Sequence, residues 1–432
     1  MKKVLIITYY WPPSGGAGVQ RWLKFTKYLS GFGVHPYVLT VDPQYASYPQ
    51  TDPSLEKDIS PSVKVFRTRS FEVLSIISRI FGKSSVPYGG FSNVDKNSLL
   101  QTLLRFIRGN FFIPDARIGW NKYALKKASE LIQQYDIKTV ITTGPPHSTH
   151  LAGLKLKKDL NIKWIADFRD PWTDIYYYSD MLHTPVAKKI DLWKEKTVLD
   201  NADIIITNCN SNKNLLLSKT GIKDAGKFHV ITNGFDEDDF RVPVKSPDEF
   251  TVTYTGTISE HYKPRVFFNA LSDLVRLYPD VAFRFRLLGS ASNLIEKEIS
   301  DLGLSNFFDY RGYVDHASLA SFLKSSSALL YIFPETSNDK GVAGKLFEYL
   351  AAERPVIALG STDSDAAAII EECEAGRSFT RSDSAGLTEY LKYLVEIFKK
   401  EGEIKAGNGL YRSYSRKKLT SELAKIIKDQ SH

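Results

Sequence analysis

Apolar residues in this chain fall into short unbroken runs separated by stretches with helical spacing. Val4-Leu5-Ile6-Ile7 is such a run, as expected of a parallel strand buried on both faces. After Pro12-Pro13-Ser14-Gly15-Gly16-Ala17-Gly18, the side chains of Trp22, Phe25 and Leu29 share one face of a predicted helix, and Tyr37-Val38-Leu39-Thr40 reads as the next strand. Val63-Lys64-Val65-Phe66, Thr139-Val140-Ile141-Thr142, Trp164-Ile165-Ala166-Asp167-Phe168 and Asp203-Ile204-Ile205-Ile206-Thr207 read as further strands. Helical patterns over residues 120–134 and 183–200 lie between them. Strand alternating with helix predicts an α/β fold built on a doubly wound parallel sheet.

A second alternation starts near Val230-Ile231-Thr232-Asn233-Gly234-Phe235. Its predicted strands are Thr251-Val252-Thr253-Tyr254, Phe283 to Leu288, Phe308-Asp309-Tyr310, Ala328-Leu329-Leu330-Tyr331 and Pro355-Val356-Ile357-Ala358. The Asn233-Gly234 turn and the acidic, proline-containing run 236–247 form a natural linker. Two Rossmann-like domains facing a central cleft follow, one over residues 1–232 and one over 233–410. Leu419, Leu423, Ile426 and Ile427 then mark an amphipathic helix within residues 411–432.

Residues 44–119 read as an insertion in the first domain. Leu74, Ile76, Ile77, Ile80 and Phe81 with Arg79 and Lys83 form one basic-apolar block; Leu99, Leu100, Leu103, Leu104, Phe106 and Ile107 with Arg105 and Arg108 form another, followed by Phe111-Phe112-Ile113. Two readings stay open: a surface over 71–113 that touches a membrane or a lipid-linked substrate, or helices packed on the domain.

Composition narrows the class. The 432 residues, 43% hydrophobic and 25% charged, suit an ordinary globular protein of two domains. Cys209 and Cys373 form no CxxC pair and no secretory signal precedes the first strand, so a cytoplasmic setting is expected. No apolar run approaches the ~18 residues of a membrane span. A net charge of +8 fits anionic small molecules or an anionic membrane surface, and no nucleic-acid-binding motif is present, so no nucleic-acid partner is expected.

The chemistry concentrates in residues 341–357, where two glycines lead into a helix and a Pro-led strand follows. Backbone amides at a helix entrance can meet an anion. Lys345 and Glu348 share a face, opposite Leu346, Phe347 and Leu350. That suits a nucleotide, with Lys345 on phosphate and Glu348 on ribose hydroxyls; a surface Lys–Glu pair is the plainer reading. Asp170 directly follows a strand, so it should face the ligand edge of the sheet; the resemblance described below implies that its carboxylate would orient a sugar or take an acceptor proton. Arg169 would pair a phosphate, or the two would simply fix the loop. His147 and His150, after another strand, are candidate bases, on the acceptor side if the resemblance described below holds.

The chain resembles retaining glycosyltransferases of the GT-B fold in glycosyltransferase family four, the bacterial group 1 glycosyltransferases. The resemblance rests on the first strand with Pro12-Pro13-Ser14-Gly15-Gly16, Asp203 to Thr207, Val230 to Asp236, Tyr254-Thr255-Gly256-Thr257, Arg311-Gly312-Tyr313-Val314, and Lys345 to Ala352 with Pro355-Val356-Ile357. It implies transfer of a sugar from a UDP- or GDP-linked donor to a saccharide or lipid-linked acceptor, with retention, without a required metal or cofactor, in surface-polysaccharide or glycoconjugate synthesis at or near the inner face of a membrane. Lys345 and the amides of Gly341, Val342 and Gly344 would hold the diphosphate, with Gly256 beside them. Glu348 would take the ribose, and Tyr313 and Val314 the base. Gly15 and Gly16 would approach acceptor and leaving group. Lys263 is a second phosphate cation or an ordinary exposed lysine. The final helix would cross back to the first domain. The pattern departs at Lys340, where the family often has a glutamate, and at Ala166 to Trp172, where many relatives have a histidine. A nucleotide-sugar 2-epimerase of the same fold and a non-catalytic sugar-nucleotide-binding protein are the rivals. An NAD-dependent enzyme is disfavoured, because Arg21 stands where the third glycine of its loop would be.

Overall fold

The computed structural model describes residues 1–72, 99–175, 177–221, 224–243, 246–333, 335 and 340–429. The chain forms two compact units, Met1–Thr232 with Arg416–His432, and Asn233–Ser415.

The first unit runs β1 (Lys2–Ile7), α1 (Ala17–Leu29), β2 (Val34–Val41), β3 (Lys64–Thr68), α2 (Leu99–Phe111), α3 (Asn121–Tyr135), β4 (Thr139–Gly144), α4 (Ser148–Leu160), β5 (Lys163–Phe168), α5 (Pro185–Asn201), β6 (Ile204–Thr207), α6 (Asn210–Lys219) and β7 (Phe228–Val230). Its seven strands are ordered β3-β2-β1-β4-β5-β6-β7, and every pairing is parallel. The apolar runs are continuous because the sheet has a core on each face. Leu5 and Ile7 of β1 point into one layer with Trp164, Ala124 and Leu131. Val4 and Ile6 point into the other with Val19, Trp22 and Leu23 of α1. The order reverses between β1 and β4, so the loops after these strands stand at the switch point where such sheets bind ligands.

The second unit runs β8 (Phe250–Ile258), α7 (Arg265–Leu277), β9 (Phe283–Ala291), α8 (Asn293–Asp301), β10 (Phe308–Gly312), α9 (His316–Lys324), β11 (Ala328–Ile332), α10 (Lys345–Ala351), β12 (Val356–Leu359), α11 (Asp365–Glu372), β13 (Gly376–Phe379) and α12 (Ser384–Glu401). Its parallel sheet is ordered β10-β9-β8-β11-β12-β13, reversing between β8 and β11. The last helix, α13 (Arg416–Lys428), belongs to the first unit, where Leu419, Leu423, Ala424 and Ile427 complete the layer built on α1.

Three boundaries differ from the sequence reading. Residues 44–119 are not one insertion, because Lys64–Thr68 is the edge strand β3, paired along β2; the block over 74–83 lies outside the described residues. Val230 closes the first sheet rather than opening the second, since β7 pairs with β6 from Phe228↔Ile205 onward. Residues 411–415 stay with the second unit, where Tyr411 lies 5.7 Å from Phe235 and Tyr414 lies 5.3 Å from Phe347, ring to ring.

Candidate functional site

In the second unit, α10 buries Leu346, Phe347, Tyr349 and Leu350 and leaves Lys345 and Glu348 partly exposed. Lys345 and Tyr349, one turn apart, both grip Thr255 within β8. Lys345 Nζ donates to Thr255 O at 2.8 Å, and Tyr349 Oη accepts from Thr255 N at 2.9 Å. The ammonium lies 4.0 Å from the centre of the Tyr254 ring. Gly256, at φ 102°, lies directly beside it: a Cβ there would meet Lys345 Nζ in ordinary contact at 3.6 Å. Gly289 on β9 is needed for this arrangement, since a Cβ on it would come within 2.1 Å of Gly256 O. Among the described residues no carboxylate comes within ion-pair distance of Lys345. Burial lowers its pKa to about 7, against the pull of Glu348.

The turn before α10 holds the remaining predicted amides. Ala343 N donates to Tyr331 Oη at 2.9 Å and fixes that turn. Val342 is buried, a Cβ on Gly341 would meet open space, and one on Gly344 would stand 3.7 Å from Asn233 Nδ2. Glu348 Oε1 lies 3.9 Å from His316 Nδ1, and His316 Nε2 lies 3.0 Å from Asp239 Oδ2. His316 escaped the sequence reading, although it follows Tyr313-Val314 almost directly; it opens α9, whose cap Asp315 accepts from Ser318 N at 2.8 Å. Tyr313 is exposed and Val314 half-buried just past β10. Lys263 is exposed and ion-paired with Glu335, and Lys340 pairs with Asp363 at 2.7 Å on the surface. Neither of these pairings involves Lys345 or Thr255.

In the first unit, the predicted residues gather at the carboxyl edge of the sheet. Arg169 N donates to Gly144 O at 3.2 Å, and Arg169 Nη1 donates to Gly18 O at 2.9 Å. Its Nε and Nη2 reach Asp170 Oδ2, both at 3.3 Å. Arg169 thus ties the ends of β4 and β5 to the first turn of α1, and Asp170 keeps a partly exposed carboxylate beside them. Gly18 admits the guanidinium, since a Cβ there would lie 2.7 Å from Nη1; Gly18 was not among the predicted site residues. Gly16 caps α1 at φ 85°, and Gly15 N donates to Gln50 O at 2.9 Å, so this second amide is already engaged. Below them Asp167 is fully buried. It accepts from Arg21 Nη2 at 2.9 Å, Trp22 Nε1 at 2.8 Å and Thr143 Oγ1 at 2.8 Å.

His147 lies in a buried, aromatic setting. Its buried ring stacks on Trp172 at 5.1 Å with 11° between planes. Burial, then His150 and Arg169, hold it well below the usual histidine range, outweighing the Pro171 carbonyl. His150 accepts or donates at Nδ1 with Thr142 Oγ1, 2.9 Å away, stacks on Phe168, and is lowered by burial to about 3. Both rings are buried against Trp172 and Phe168, and this setting disfavours the protonated form that an acid–base role for His147 would pass through.

Two parallel Rossmann-like sheets with helices around them define the GT-B glycosyltransferase architecture. Residues 90–239 match Glycosyltransferase Family 4, and residues 249–396 match Glycosyl transferases group 1. The two matches, one in each unit, support a group 1 glycosyltransferase. No match is found among curated proteins. Among solved structures, the Anabaena HepE protein in complex with UDP-glucose is similar over 99% of this chain and 99% of its own, at 12% identity and a TM-score of 0.63. A sucrose-phosphate synthase from Thermosynechococcus elongatus is similar over 99% and 95%, at 15% identity and a TM-score of 0.57. A candidate UDP-N-acetylglucosamine 2-epimerase from Listeria monocytogenes is similar over 99% and 96%, at 13% identity and a TM-score of 0.57. At such identities the likeness is one of fold.

Proposed function

We propose that this glycosyltransferase moves a sugar from a UDP- or GDP-linked donor to a saccharide or lipid-linked acceptor with retention of configuration, in surface-polysaccharide or glycoconjugate synthesis. The observation that carries this reading is Lys345, a largely buried ammonium held by one carbonyl and one ring face, beside Gly256. A buried cation of this kind is costly alone and is compensated when an anion arrives. The donor diphosphate is that anion, bound by Lys345 and the amides around Gly341, Val342 and Gly344, at about 1.5–3 kcal/mol per charge-assisted hydrogen bond. Glu348 takes the ribose hydroxyls, with His316 and Asp239 behind it, and the backbone at Tyr313 and Val314 meets the base. The UDP-glucose in the HepE structure is consistent with such a donor.

On the acceptor side, Asp170 orients the attacking hydroxyl, and Arg169 fixes the loop that carries it. Retention then needs no protein nucleophile: the leaving phosphate oxygen takes the acceptor proton on the same face, while the enzyme positions both groups and stabilises the charge that develops. Thermal shift with a panel of nucleotide diphosphate sugars tests the donor site. Lys345→Ala and Glu348→Ala should lose the donor-induced shift while the unliganded melt stays close to the parent's; equal shifts in parent and variants would reject the assignment. A 2-epimerase is the second reading, favoured by the likeness to the Listeria protein. Incubation with labelled nucleotide sugar separates the two, since transfer consumes an acceptor and epimerisation changes the donor alone.

A further inference from the structure

Lys345 and Glu348 stand three residues apart on one face of α10, a spacing at which an ammonium and a carboxylate ordinarily pair. Here they do not. Lys345 Nζ is turned to Thr255 O and to the Tyr254 ring, while Glu348 Oε1 is turned to the His316 ring, 3.9 Å from Nδ1. The two charges still act on each other: burial lowers the Lys345 pKa to about 7, and Glu348 pulls it the other way. Nothing within α10 separates them. The separation comes from its neighbours, Thr255 on β8 for the lysine and His316 on α9 for the glutamate.

The His316 ring is itself held from behind. Its Nε2 lies 3.0 Å from Asp239 Oδ2, and because a carboxylate only accepts, Nε2 carries the proton and Nδ1 is the nitrogen that faces Glu348. Asp239 stands on a fixed base. It belongs to the single helical turn Glu237–Phe240, whose cap Asp236 accepts from Asp238 N at 3.2 Å. Phe240 meets the Phe235 ring edge-on at 6.0 Å, and Phe240 O accepts from Lys324 Nζ at 2.8 Å. His316 and Lys324 are the first and last residues of α9, so the helix is fastened to this turn at both ends. The ring therefore cannot follow Glu348 toward Lys345. The side chains of His316, Asp239 and Glu348 are all largely shielded from water, which strengthens charge contacts among them beyond those of an open surface.

We infer that His316, seated on Asp239, is a positioning residue that holds Glu348 away from Lys345, leaving the cation to the donor diphosphate and the carboxylate to the ribose. With the ring removed, Glu348 folds back on Lys345, and a diphosphate must break that pair before it binds. The inference rests on the reading of Lys345 as the phosphate cation, and its test separates the two. Titration calorimetry of the full chain with inorganic pyrophosphate, which has no ribose, reads the lysine alone. The titration is run at about pH 6, on the charged side of the Lys345 pKa. His316→Ala should weaken pyrophosphate binding about fivefold. Asp239→Asn, which loosens the seat of the ring, should act in the same direction and less. In a Glu348→Gln background the same His316→Ala change should cost less than about twofold, since no charged side chain remains there to capture Lys345. A ring that merely supports the fold, or merely adds charge, would weaken binding equally in both backgrounds, and that result overturns the inference. So does a His316→Ala variant that binds pyrophosphate as the parent does. A parent that binds no pyrophosphate removes the phosphate reading of Lys345 and the inference with it, whereas a binding parent whose two backgrounds respond alike removes the inference alone.

Discussion

Lys345 owes its depressed pKa to burial, so in the free protein its proton is lost near pH 7. A diphosphate placed against it would raise that pKa, and donor binding would then take up a proton. Affinity should hold below about pH 7 and fall above it by up to about tenfold per pH unit until the pKa of the bound form is reached. Calorimetry in buffers of different ionisation enthalpy measures the uptake directly, and Lys345→Met should abolish it. A second prediction at this scale concerns Arg21. Its guanidinium and the Asp167 carboxylate are both shut away from water, with Nε and Nη2 directed at the two carboxylate oxygens. Arg21→Met leaves Asp167 charged, with Trp22 and Thr143 still donating to it among the described residues, and should cost about 3–5 kcal/mol in urea unfolding. Local spacing showed Arg21 only as a residue that breaks a glycine motif. Its partner is on β5, far along the chain, and no sequence period connects them. His316 was missed for the same reason: its contacts with Glu348 and Asp239 are made across elements.

Elements whose environment is uniform along their length were legible. β1 is apolar at every inward position because both its faces are covered, and α10 shows its core face and its Lys345–Glu348 face by spacing alone. β13 was missed because Gly376-Arg377-Ser378-Phe379 sits at the sheet edge and buries only its last residue, so it lacks the apolar run of an inner strand. The first turn of α1 gives a prediction that depends on close approach. Gly18→Ala would push the Arg169 guanidinium off Gly18 O and shift Asp170 with it. Transfer should fall by up to about 100-fold with little change in melting temperature, as read by initial rates beside a thermal melt. On α5, burial raises the Asp191 carboxyl to about 6, despite hydrogen bonds from Trp172 and Tyr178. Between the ordinary carboxylate range and about pH 6 the folded state holds the proton more tightly than the unfolded chain. This residue therefore lowers stability as pH rises through that window. The stability difference between parent and Asp191→Asn should decline from pH 4 to pH 6 and level off above, which urea titrations at several pH values would show.

At the scale of the whole molecule, the first unit is assembled from two separate stretches of chain. α13 fills the layer against α1 with Leu419, Leu423, Ala424 and Ile427, and Arg416 Nη1 donates to Gln20 O at 3.1 Å. Removing residues 416–432 would uncover Val19, Trp22 and Leu23 and should destabilise this unit by on the order of 5 kcal/mol or more; an unchanged melt would contradict the packing. The second unit, by contrast, is one unbroken stretch. During synthesis it can finish folding while the first still lacks a wall, and an open apolar trough persists on the nascent chain until the final helix leaves the ribosome. Chaperone dependence and aggregation on overexpression should therefore track the N-terminal half, and a circular permutant that places α13 ahead of β1 should shorten that exposure.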